Sequence, residues 1–397
     1  MNRQREWLAG LVLAGVSVLM AFGAIEVGVR TLHLVPDRFW EPDPVRGARL
    51  IAGRAGWWTQ EEREFVVPVQ INALGLRDAE RAYAKPAGVF RILVLGDSFV
   101  EAMHVRLEET FPRLLESRLR TATGDTRVEV ISAGVSGYGT ASEVLYFEHE
   151  GKRFAPDLVV LAFYPGNDVK NNSPTLEDKL RPVYVDGRLA RVTGDGRAGQ
   201  RRGVLGRSAA YQYVRQVVLT RQPTLAQALV RLGLLQPDAV RRTPDRAGVP
   251  VDYWVYAPTA DAEWSEAWTH TERLLDRLRQ SVAATGARFA IVVLSAREQV
   301  YPTSWQDVLA AHPAMAPLPW DLDAPQRRVE TWCAQHQVPC VPLAGAFREA
   351  VQAGAAPLHF HHDGHFTPAG HQLAARVLAE SLAAQGVGPP VQRGVQR

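Results

Sequence analysis

Short, continuous apolar runs alternate along the chain with segments whose apolar residues recur every three or four positions. Such runs are typical of strands buried on both faces of a parallel sheet, and the longer spacing is typical of amphipathic helices. The runs predict strands at 92–95, 128–132, 158–163, 289–294 and 339–342. The periodic segments predict helices at 108–120, 142–153, 265–285, 325–335 and 368–384, the last with Thr367 as N-cap and Pro368 as first residue. This alternation indicates βαβ units and a mostly parallel α/β sheet.

The first hydrophobic segment, residues 8–25, differs from the others because it runs for 18 residues without a charge and follows Arg3 and Arg5. As a helix it is about 27 Å long, close to the hydrocarbon thickness of a bilayer. Basic residues on its short N-terminal side favour keeping that end in the cytoplasm. We therefore expect residues 1–30 to be an uncleaved, single-pass membrane anchor. Ala21-Phe22-Gly23 leaves a cleaved signal peptide as the alternative.

Two stretches interrupt the α/β pattern. Residues 36–63 are rich in Pro, Gly, Trp and charge, and we expect 31–89 to form a neck that packs on a domain at 90–390. Residues 171–251 are predicted to be an insertion, with a hairpin turn at Asp186-Gly187 and helices at 209–219 and 225–234. Between positions 181 and 246 the chain has thirteen arginines, four aspartates and no lysine. This positive charge is either a solvated surface or a face for anionic lipid or an acidic glycan.

The composition is that of an ordinary globular protein, with 46% hydrophobic and 22% charged residues in a chain of 397. A net charge of +3 is too small to make nucleic acid the expected partner. The two cysteines, Cys333 and Cys340, are too few for a disulfide-rich framework or a cysteine-built zinc site. They either form one disulfide, which requires an oxidising compartment, or remain two buried thiols.

Three consecutive predicted strand ends carry residues suited to nucleophilic catalysis. Ser98 follows the first strand, a loop with Gly134 and Gly137 follows the second, and Asn167 follows the third. Neighbouring strand ends of a parallel sheet converge on one crevice, where α/β proteins bind ligands. Ser98 is therefore a candidate nucleophile, and a glycine N–H and the Asn167 amide are candidate donors to an oxyanion. Taken singly, Gly-Asp-Ser also forms common turns and the glycines also suit a flexible loop.

A histidine-rich segment near the C-terminus, residues 359–367, offers the base that a serine nucleophile needs. His365 suits that role, with Asp363 to bind the other ring nitrogen and stabilise the imidazolium. Five histidines between positions 359 and 371 leave a metal site as the alternative, although no HExxH spacing or cysteine ligand accompanies them. His371 falls inside the last predicted helix, and we expect it to be structural.

These segments together resemble the sequence blocks of the SGNH/GDSL hydrolases. The matching residues, in block order, are Gly96-Asp97-Ser98, Gly137, Asn167 and the pair Asp363 and His365. The resemblance covers about 90–385 and leaves the insertion unmatched. Most members of the family separate the aspartate and histidine by two residues, whereas only Gly364 separates them here. That shorter spacing resembles relatives that handle O-acetyl groups on exported polysaccharides.

The resemblance implies a three-layer, flavodoxin-like α/β fold in which Ser98, His365 and Asp363 are catalytic. It also implies an oxyanion hole formed by the N–H groups of Ser98 and Gly137 and by the Asn167 amide, with Gly134 as the fallback donor. No cofactor or metal is expected. Residues 72–77, following an anchor, also resemble a bacterial branch of the family, so we expect the bacterial inner membrane, with the catalytic domain in the periplasm or outside.

The expected function is a serine-dependent ester hydrolase or deacetylase that acts on an acylated cell-envelope glycan or lipid through an acyl-enzyme on Ser98. One alternative is an O-acyltransferase that modifies an exported polysaccharide with a membrane-bound partner that delivers acyl groups. Another is a non-catalytic, glycan-binding assembly protein that keeps the fold without turnover.

Overall fold

A computed structural model describes residues 2–173, 175–176, 181–185, 188–193, 208–232, 245–246, 248–257 and 261–390. Its central sheet contains β1 (Phe90–Gly96), β2 (Val128–Gly134), β3 (Leu158–Phe163), β4 (Arg288–Val293) and β5 (Cys340–Pro342). The strands lie in the order β5-β4-β3-β1-β2, and every neighbouring pair is parallel. This is the flavodoxin-like order, so the predicted fold class is confirmed.

The central strands are apolar on both faces because helices cover both sides of the sheet. All six residues of β3 are buried, as are the last six of β1. Among the described residues, the helices are, in the order of the chain, α1 (Asn2–Thr31), α2 (Ser98–Glu101), α3 (Phe111–Thr123), α4 (Thr140–His149), α5 (Pro165–Asn171), α6 (Ala209–Arg221), α7 (Pro223–Arg231), α8 (Ala262–Ala283), α9 (Arg297–Val300), α10 (Pro302–Ala311), α11 (Ala324–His336), α12 (Ala344–Gln352) and α13 (Pro368–Ala384).

Helices α3 and α13 pack together on one face of the sheet, where Leu115 and Leu378 join Val94 and Val160 in the hydrophobic core. Helices α4 and α8 pack together on the opposite face, where Trp268 of α8 lies 6.5 Å from the Phe163 ring of β3. A helix, sheet, helix sandwich is therefore present, which is the predicted three-layer arrangement.

Helix boundaries differ from the predicted ones where proline or a capping residue decides them. α3 begins at Phe111 rather than at 108 because Pro112 occupies its first turn, and residues Leu107–Glu109 form a 3-10 turn instead. α13 begins as predicted, and the Thr367 hydroxyl accepts a hydrogen bond from the Gly370 N–H at 3.2 Å. The short helices α2, α5 and α9 and the longer α10 and α12 were not predicted.

The remaining elements among the described residues are short. The strands outside the central sheet are Trp40–Asp43, Gly47–Leu50, Ala55–Thr59, Val66–Gln70, Arg181–Val185, Arg188–Thr193, Asp245–Arg246 and Val249–Pro250, and the remaining 3-10 helices are Gly151–Phe154, Val251–Tyr256 and Pro313–Met315. Arg181–Val185 and Arg188–Thr193 pair antiparallel, as in the predicted hairpin, whose turn residues Asp186 and Gly187 lie outside the described residues.

The two cysteines are free thiols, with Cys333 buried and Cys340 partly buried. The disulfide alternative is therefore not formed in this structure. A hydrogen bond with Cys340 raises the pKa of the Cys333 thiol, and burial raises it further, so the Cys333 sulfur is neutral at ordinary pH.

Internal contacts divide the chain into two units. One contains Met1–Asp37, Trp57–Val66 and Arg197–Arg242, and the other contains Arg38–Gly56, Val67–Gly196 and Thr243–Arg397. The predicted neck, 31–89, is thus shared between the two units, and most of it belongs to the same unit as the sheet. The division into anchor, neck and hydrolase domain stays a prediction.

Candidate active site

Ser98 is the first residue of α2 and follows the carboxyl end of β1 by two positions. Gly96 permits this sharp turn, since a Cβ there would lie 2.4 Å from the Val100 side chain. The Asp97 carboxylate caps α2 by accepting the Phe99 N–H at 2.9 Å. The strand end and the cap therefore fix the backbone that presents the serine hydroxyl.

The Ser98 hydroxyl lies at the end of a hydrogen-bonded chain. Its Oγ is 2.7 Å from Nε2 of His365, and Nδ1 of the same ring is 2.6 Å from Oδ1 of Asp363. These distances fit a neutral imidazole that receives the serine proton on Nε2 while Nδ1–H donates to the carboxylate. The structure thus brings together the three predicted catalytic residues.

The short Asp-Gly-His spacing is accommodated by the backbone between the two side chains. Gly364 has a φ of +84°, a conformation that favours glycine. The Asp363 carboxylate turns back to accept the His365 N–H at 3.2 Å as well as the ring nitrogen. The segment is held by hydrogen bonds from the Phe360 N–H to the His365 carbonyl, 2.8 Å, and from the Thr367 N–H to the Leu358 carbonyl, 3.0 Å. One intervening residue therefore suffices to form the Asp363–His365 pair.

A second imidazole, which sequence reasoning missed, packs on the first. The ring of His104 is stacked on His365 with centroids 3.9 Å apart and an interplanar angle of 14°, and its Nε2 lies 3.5 Å from Oδ1 of Asp363. Burial lowers the pKa of His104 well below its ordinary value, and electrostatic interactions with His365 and Arg77 lower it further. His104 is therefore neutral beside His365. Phe99 packs on His365 as well, at 4.6 Å.

Among the described residues, His104, Asp363 and His365 form the group that offers three ligand atoms close enough for one metal ion. Ring nitrogens bind metals through lone pairs that lie in the ring plane, and two planes stacked 3.9 Å apart direct those lone pairs almost parallel. This geometry does not suit two imidazoles on one ion. Asp363 and His365 are also already hydrogen-bonded to each other.

The other histidines of the C-terminal segment have separate partners. His359 Nε2 contacts the Ser295 carbonyl at 3.1 Å, and His361 Nδ1 accepts from Arg297 at 2.7 Å. His371, buried in α13, accepts the Phe111 N–H at 3.2 Å and joins α13 to α3. Burial lowers the pKa of His359 to about 4 and that of His371 to about 3. These histidines do not converge on one point as a metal site would require.

Asn167 lies in α5, just beyond β3, and lines the same pocket as Ser98. Its Nδ2 donates to Oδ2 of Asp97 at 2.8 Å, so Asp97 holds the amide as well as capping α2. Burial raises the pKa of Asp97, whereas the hydrogen bonds from Phe99 and Asn167 lower it. An amide nitrogen carries two N–H groups, and the second remains for a ligand.

The two glycines of the second strand end have different places. Gly134 ends β2 against α2, where a Cβ would lie 2.3 Å from the Glu101 nitrogen, so its missing side chain permits close packing. Gly137 has a φ of +75°, and its carbonyl accepts from Asn171 Nδ2 at 3.2 Å. The residues that line the pocket include Asn167 but neither glycine. The oxyanion role of Gly137 stays a prediction.

The pocket has a volume of about 230 Å³. Beside Ser98, Asn167 and the Asp363–His365 pair, its walls are formed by Phe99, Tyr164, Arg297 and Glu298. Two aromatic rings and two opposite charges therefore surround the serine hydroxyl.

Glu101 of α2 is a buried carboxyl that sequence reasoning also missed. It accepts the Trp40 indole N–H at 2.8 Å and a hydrogen bond from the Ser136 hydroxyl. Burial raises the pKa of Glu101 to about 7, although these hydrogen bonds lower it. The carboxyl thus connects the neck, α2 and the loop that contains Gly137.

This carboxyl predicts a pH-dependent stability. In the unfolded chain a glutamate ionises near its ordinary pKa, whereas Glu101 keeps its proton up to about pH 7 in the folded protein. The folded state then binds more protons between those values, so the free energy of unfolding falls as pH rises through that window. We expect the Tm of Glu101→Gln to fall less than that of the unsubstituted protein over the same range. Equal slopes in thermal unfolding would contradict the assignment.

Comparison with known protein families identifies the family of this chain. The model of the GDSL-like lipase/acylhydrolase family matches residues 94–373, a span that contains Ser98, Asn167 and His365. The chain belongs to this family. Family membership makes it a carboxylic ester hydrolase by class.

Several solved structures are similar to this chain at low identity. LAE5, an α/β hydrolase enzyme from the metagenome of Lake Arreo, Spain, is 15% identical over 78% of this chain and 99% of that chain, with a TM-score of 0.37. The acetyl xylan esterase AlAXEase is 13% identical over 74% and 100%, with a TM-score of 0.39. A catalytic mutant of Axe2, an acetylxylan esterase from Geobacillus stearothermophilus, is 10% identical over 75% and 96%, with a TM-score of 0.39. A search of curated proteins gave no match.

Proposed function

We propose that this esterase removes short acyl groups from a glycan or lipid of the bacterial cell envelope through an acyl-enzyme on Ser98. The observation that carries the proposal is the hydrogen-bonded chain from Ser98 through His365 to Asp363, with both bonds shorter than 2.8 Å. A pocket of about 230 Å³ is small beside the cavities that hold drug-sized ligands, which favours a short acyl group such as acetyl.

In the proposed mechanism, Ser98 Oγ attacks the ester carbonyl while its proton passes to Nε2 of His365. The tetrahedral intermediate collapses, the carbon–oxygen bond to the alcohol breaks, and His365 returns the proton to the leaving oxygen. Water then attacks the acyl-enzyme with His365 again as base, and the acid and free serine are released. Asp363 holds the imidazole and stabilises its charged form.

The same acyl-enzyme can pass its acyl group to a sugar hydroxyl instead of water, which is the acyltransferase reaction. The two outcomes differ only in the acceptor. Product analysis in the presence of a glycan acceptor distinguishes them, since transfer yields an acylated sugar and hydrolysis yields the free acid.

The direct test uses a fluorophosphonate probe, which labels activated serines, followed by peptide mass spectrometry. We expect a single labelled peptide that carries the adduct on Ser98. The matched control is the same chain with His365→Ala, in which the hydroxyl is present but has no base, and we expect its labelling to be lost. Labelling of another serine, or equal labelling without His365, would contradict the proposal.

Asn167 is proposed to donate its second amide N–H to the oxyanion, together with the N–H groups of Ser98 and Gly137. Asp97 supports this role because it fixes the amide through the 2.8 Å hydrogen bond. Removing one oxyanion donor costs about 10²- to 10³-fold in kcat. We expect this loss for Asn167→Ala, with KM little changed, in steady-state hydrolysis of a p-nitrophenyl ester. A rise in KM at constant kcat would assign Asn167 to ground-state binding instead.

We further propose that α1 anchors the protein in the bacterial inner membrane with the catalytic domain in the periplasm. The candidate span, Arg5–Thr31, contains a window of 18 residues with a mean hydropathy of 2.3, and no part of that window is buried within the protein. Length and composition alone also fit a signal sequence. The N-terminal Arg3 and Arg5 support the cytoplasmic placement of that end.

The anchor predicts that the full-length protein stays in the membrane fraction after alkaline carbonate extraction. An exported form that lacks 1–30 behind a cleavable signal should instead be soluble. N-terminal sequencing of the mature protein provides the complementary measurement. A mature chain that begins after Gly23 and fractionates as soluble would show a cleaved signal peptide.

A further inference from the structure

The smaller unit, which contains α1, also contains α6 and α7. α6 begins against the end of the apolar run of α1. The Glu26 carboxylate accepts hydrogen bonds from the Ser208 hydroxyl at 2.7 Å and from the N–H groups of Ala209 and Ala210 at 3.0 and 2.8 Å. These are N-terminal N–H groups that have no partner within their own helix. Glu26, the first acidic residue after the run 8–25, therefore fixes the start of α6.

The other end of α6 is held by Glu61, which belongs to the same unit. The Thr220 hydroxyl donates to Glu61 at 2.9 Å, and Arg221 Nε lies 3.4 Å from the same oxygen. Two residues beyond Glu61, Arg63 donates to the Leu32 carbonyl at 3.1 Å, just past the end of α1. α6 is thus attached at both ends to segments next to the point where α1 ends, and α7 follows it after Gln222.

α7 presents an apolar stripe to solvent. Leu225 is 46% exposed and Leu232, just after the helix, is 71% exposed; Ala228, on the same helix face, is also exposed. Positions three and seven residues apart lie on one face of a helix. Ala226, which lies about 100° around the helix from Leu225, is buried. The exposed stripe is therefore not the side by which α7 packs on its neighbours.

The charged residues of the segment that contains this stripe have one sign. Residues 208–232 contain Arg215, Arg221 and Arg231 and no aspartate, glutamate or lysine. Arg221 and Arg231 flank the stripe and are exposed. An apolar face bordered by arginines is the pattern of helices that lie in the interface of an anionic bilayer.

We propose that α7 lies in the headgroup region of the bilayer that α1 crosses, with Leu225, Ala228 and Leu232 in the lipid and the two arginines at anionic phosphates. We assign lipid rather than protein to this stripe because α7 belongs to the same unit as the proposed anchor helix α1. A stripe of three side chains is also small beside the roughly 800 Å² that each partner contributes to a stable protein interface. This inference rests on the proposed anchor and is independent of the proposed chemistry.

The test places an environment-sensitive fluorophore on single cysteines in the full-length chain, with Cys333 and Cys340 replaced by serine. The labelled variants are Leu225→Cys and Leu232→Cys on the stripe, and Gln227→Cys as the matched control. Gln227 is exposed on the same helix but lies about 200° around it from Leu225. Val12→Cys reports insertion of α1. Each protein is reconstituted in phosphatidylcholine vesicles with or without phosphatidylglycerol, and nitroxide lipids serve as quenchers.

We expect the labels at positions 225 and 232 to emit at shorter wavelength and to be quenched by a shallow nitroxide. The label at 227 should remain as in water, and the label at 12 should be quenched by a deep nitroxide. Adding Arg221→Gln and Arg231→Gln should reduce quenching at 225 in the vesicles with phosphatidylglycerol and have less effect in the neutral vesicles.

Equal behaviour of the labels at 225 and 227 would overturn the inference. A shift to shorter wavelength at 225 without nitroxide quenching would also overturn it, because a protein surface would then cover the stripe. Failure of the label at 12 to be quenched would remove the anchor and this inference together. Ester hydrolysis of the labelled proteins, measured in parallel, reports separately on the proposed function.

Discussion

Ser98→Ala is expected to reduce ester hydrolysis by about 10⁴-fold or more, because the variant lacks the oxygen that becomes acylated. The substitution should leave the fold intact. The side chain that caps α2 is that of Asp97, through the Phe99 N–H, and alanine is a favourable first residue for a helix. The measurement is kcat/KM for a short-chain p-nitrophenyl ester, with Tm measured on the same samples.

A matched control is Ser304→Ala, which removes a buried serine hydroxyl without a hydrogen-bond partner among the described residues. Its activity should equal that of the unsubstituted protein. If Ser98→Ala hydrolysed the ester at an undiminished rate, the acyl-enzyme mechanism on Ser98 would be wrong. If the unsubstituted protein did not hydrolyse the ester at all, a chain that keeps the family fold without turnover would become the better account.

The parallel sheet could be predicted from sequence because buried parallel strands leave a distinctive pattern of continuous apolar runs, whereas its flavodoxin-like order followed from the family resemblance. The same pattern located the strand ends, and strand ends of a parallel sheet converge. That is why Ser98 and Asn167, 69 positions apart in the printed sequence, could be expected in one pocket. The place of His365 followed from the need for a base and from the family resemblance. The hydrogen-bond distances in the structure agree with these expectations, and the catalytic roles await the experiments above.

His104 illustrates what the pattern could not show. It is a single histidine in an irregular segment between α2 and α3, and nothing in its spacing marks it. Its contact with His365 joins positions 261 apart and arises only when the C-terminal segment packs over α2. Similarly, the five histidines at 359–371 suggested a metal site because their backbone directions were unknown. In the structure, His359 and His371 bind backbone groups of different elements.

The functional assignment of Gly134 and Gly137 depended on loop geometry that sequence does not carry. Both glycines suit a donor loop in sequence, yet Gly134 is required where β2 meets α2. The carbonyl of Gly137 is bound by Asn171, which fixes one side of its peptide plane. The N–H next to that carbonyl belongs to Tyr138 and donates to Val135. The N–H of Gly137 itself is therefore the group whose direction must be tested by substrate-analogue complexes.

His365→Ala is expected to abolish hydrolysis to an extent similar to Ser98→Ala, since the two residues act as one unit and their losses are not additive. The removed ring also packs between Phe99 and His104, so the variant leaves a cavity where free imidazole can bind. Partial rescue by added imidazole would show that the lost function is that of a base. Asp363→Asn should lose about tenfold to a hundredfold less, because the base and nucleophile remain.

His362→Ala provides the control for that experiment, because His362 lies in the same segment but its side chain is exposed and packs on His361 at 4.6 Å. Its activity should be unchanged. If His362→Ala were inactive and His365→Ala still active, the base would be His362 and the assignment to His365 would be wrong. The stacked, neutral His104 adds a further reason for expecting His365: a positive charge that forms on His365 during turnover meets the Asp363 carboxylate on one side and an uncharged ring on another.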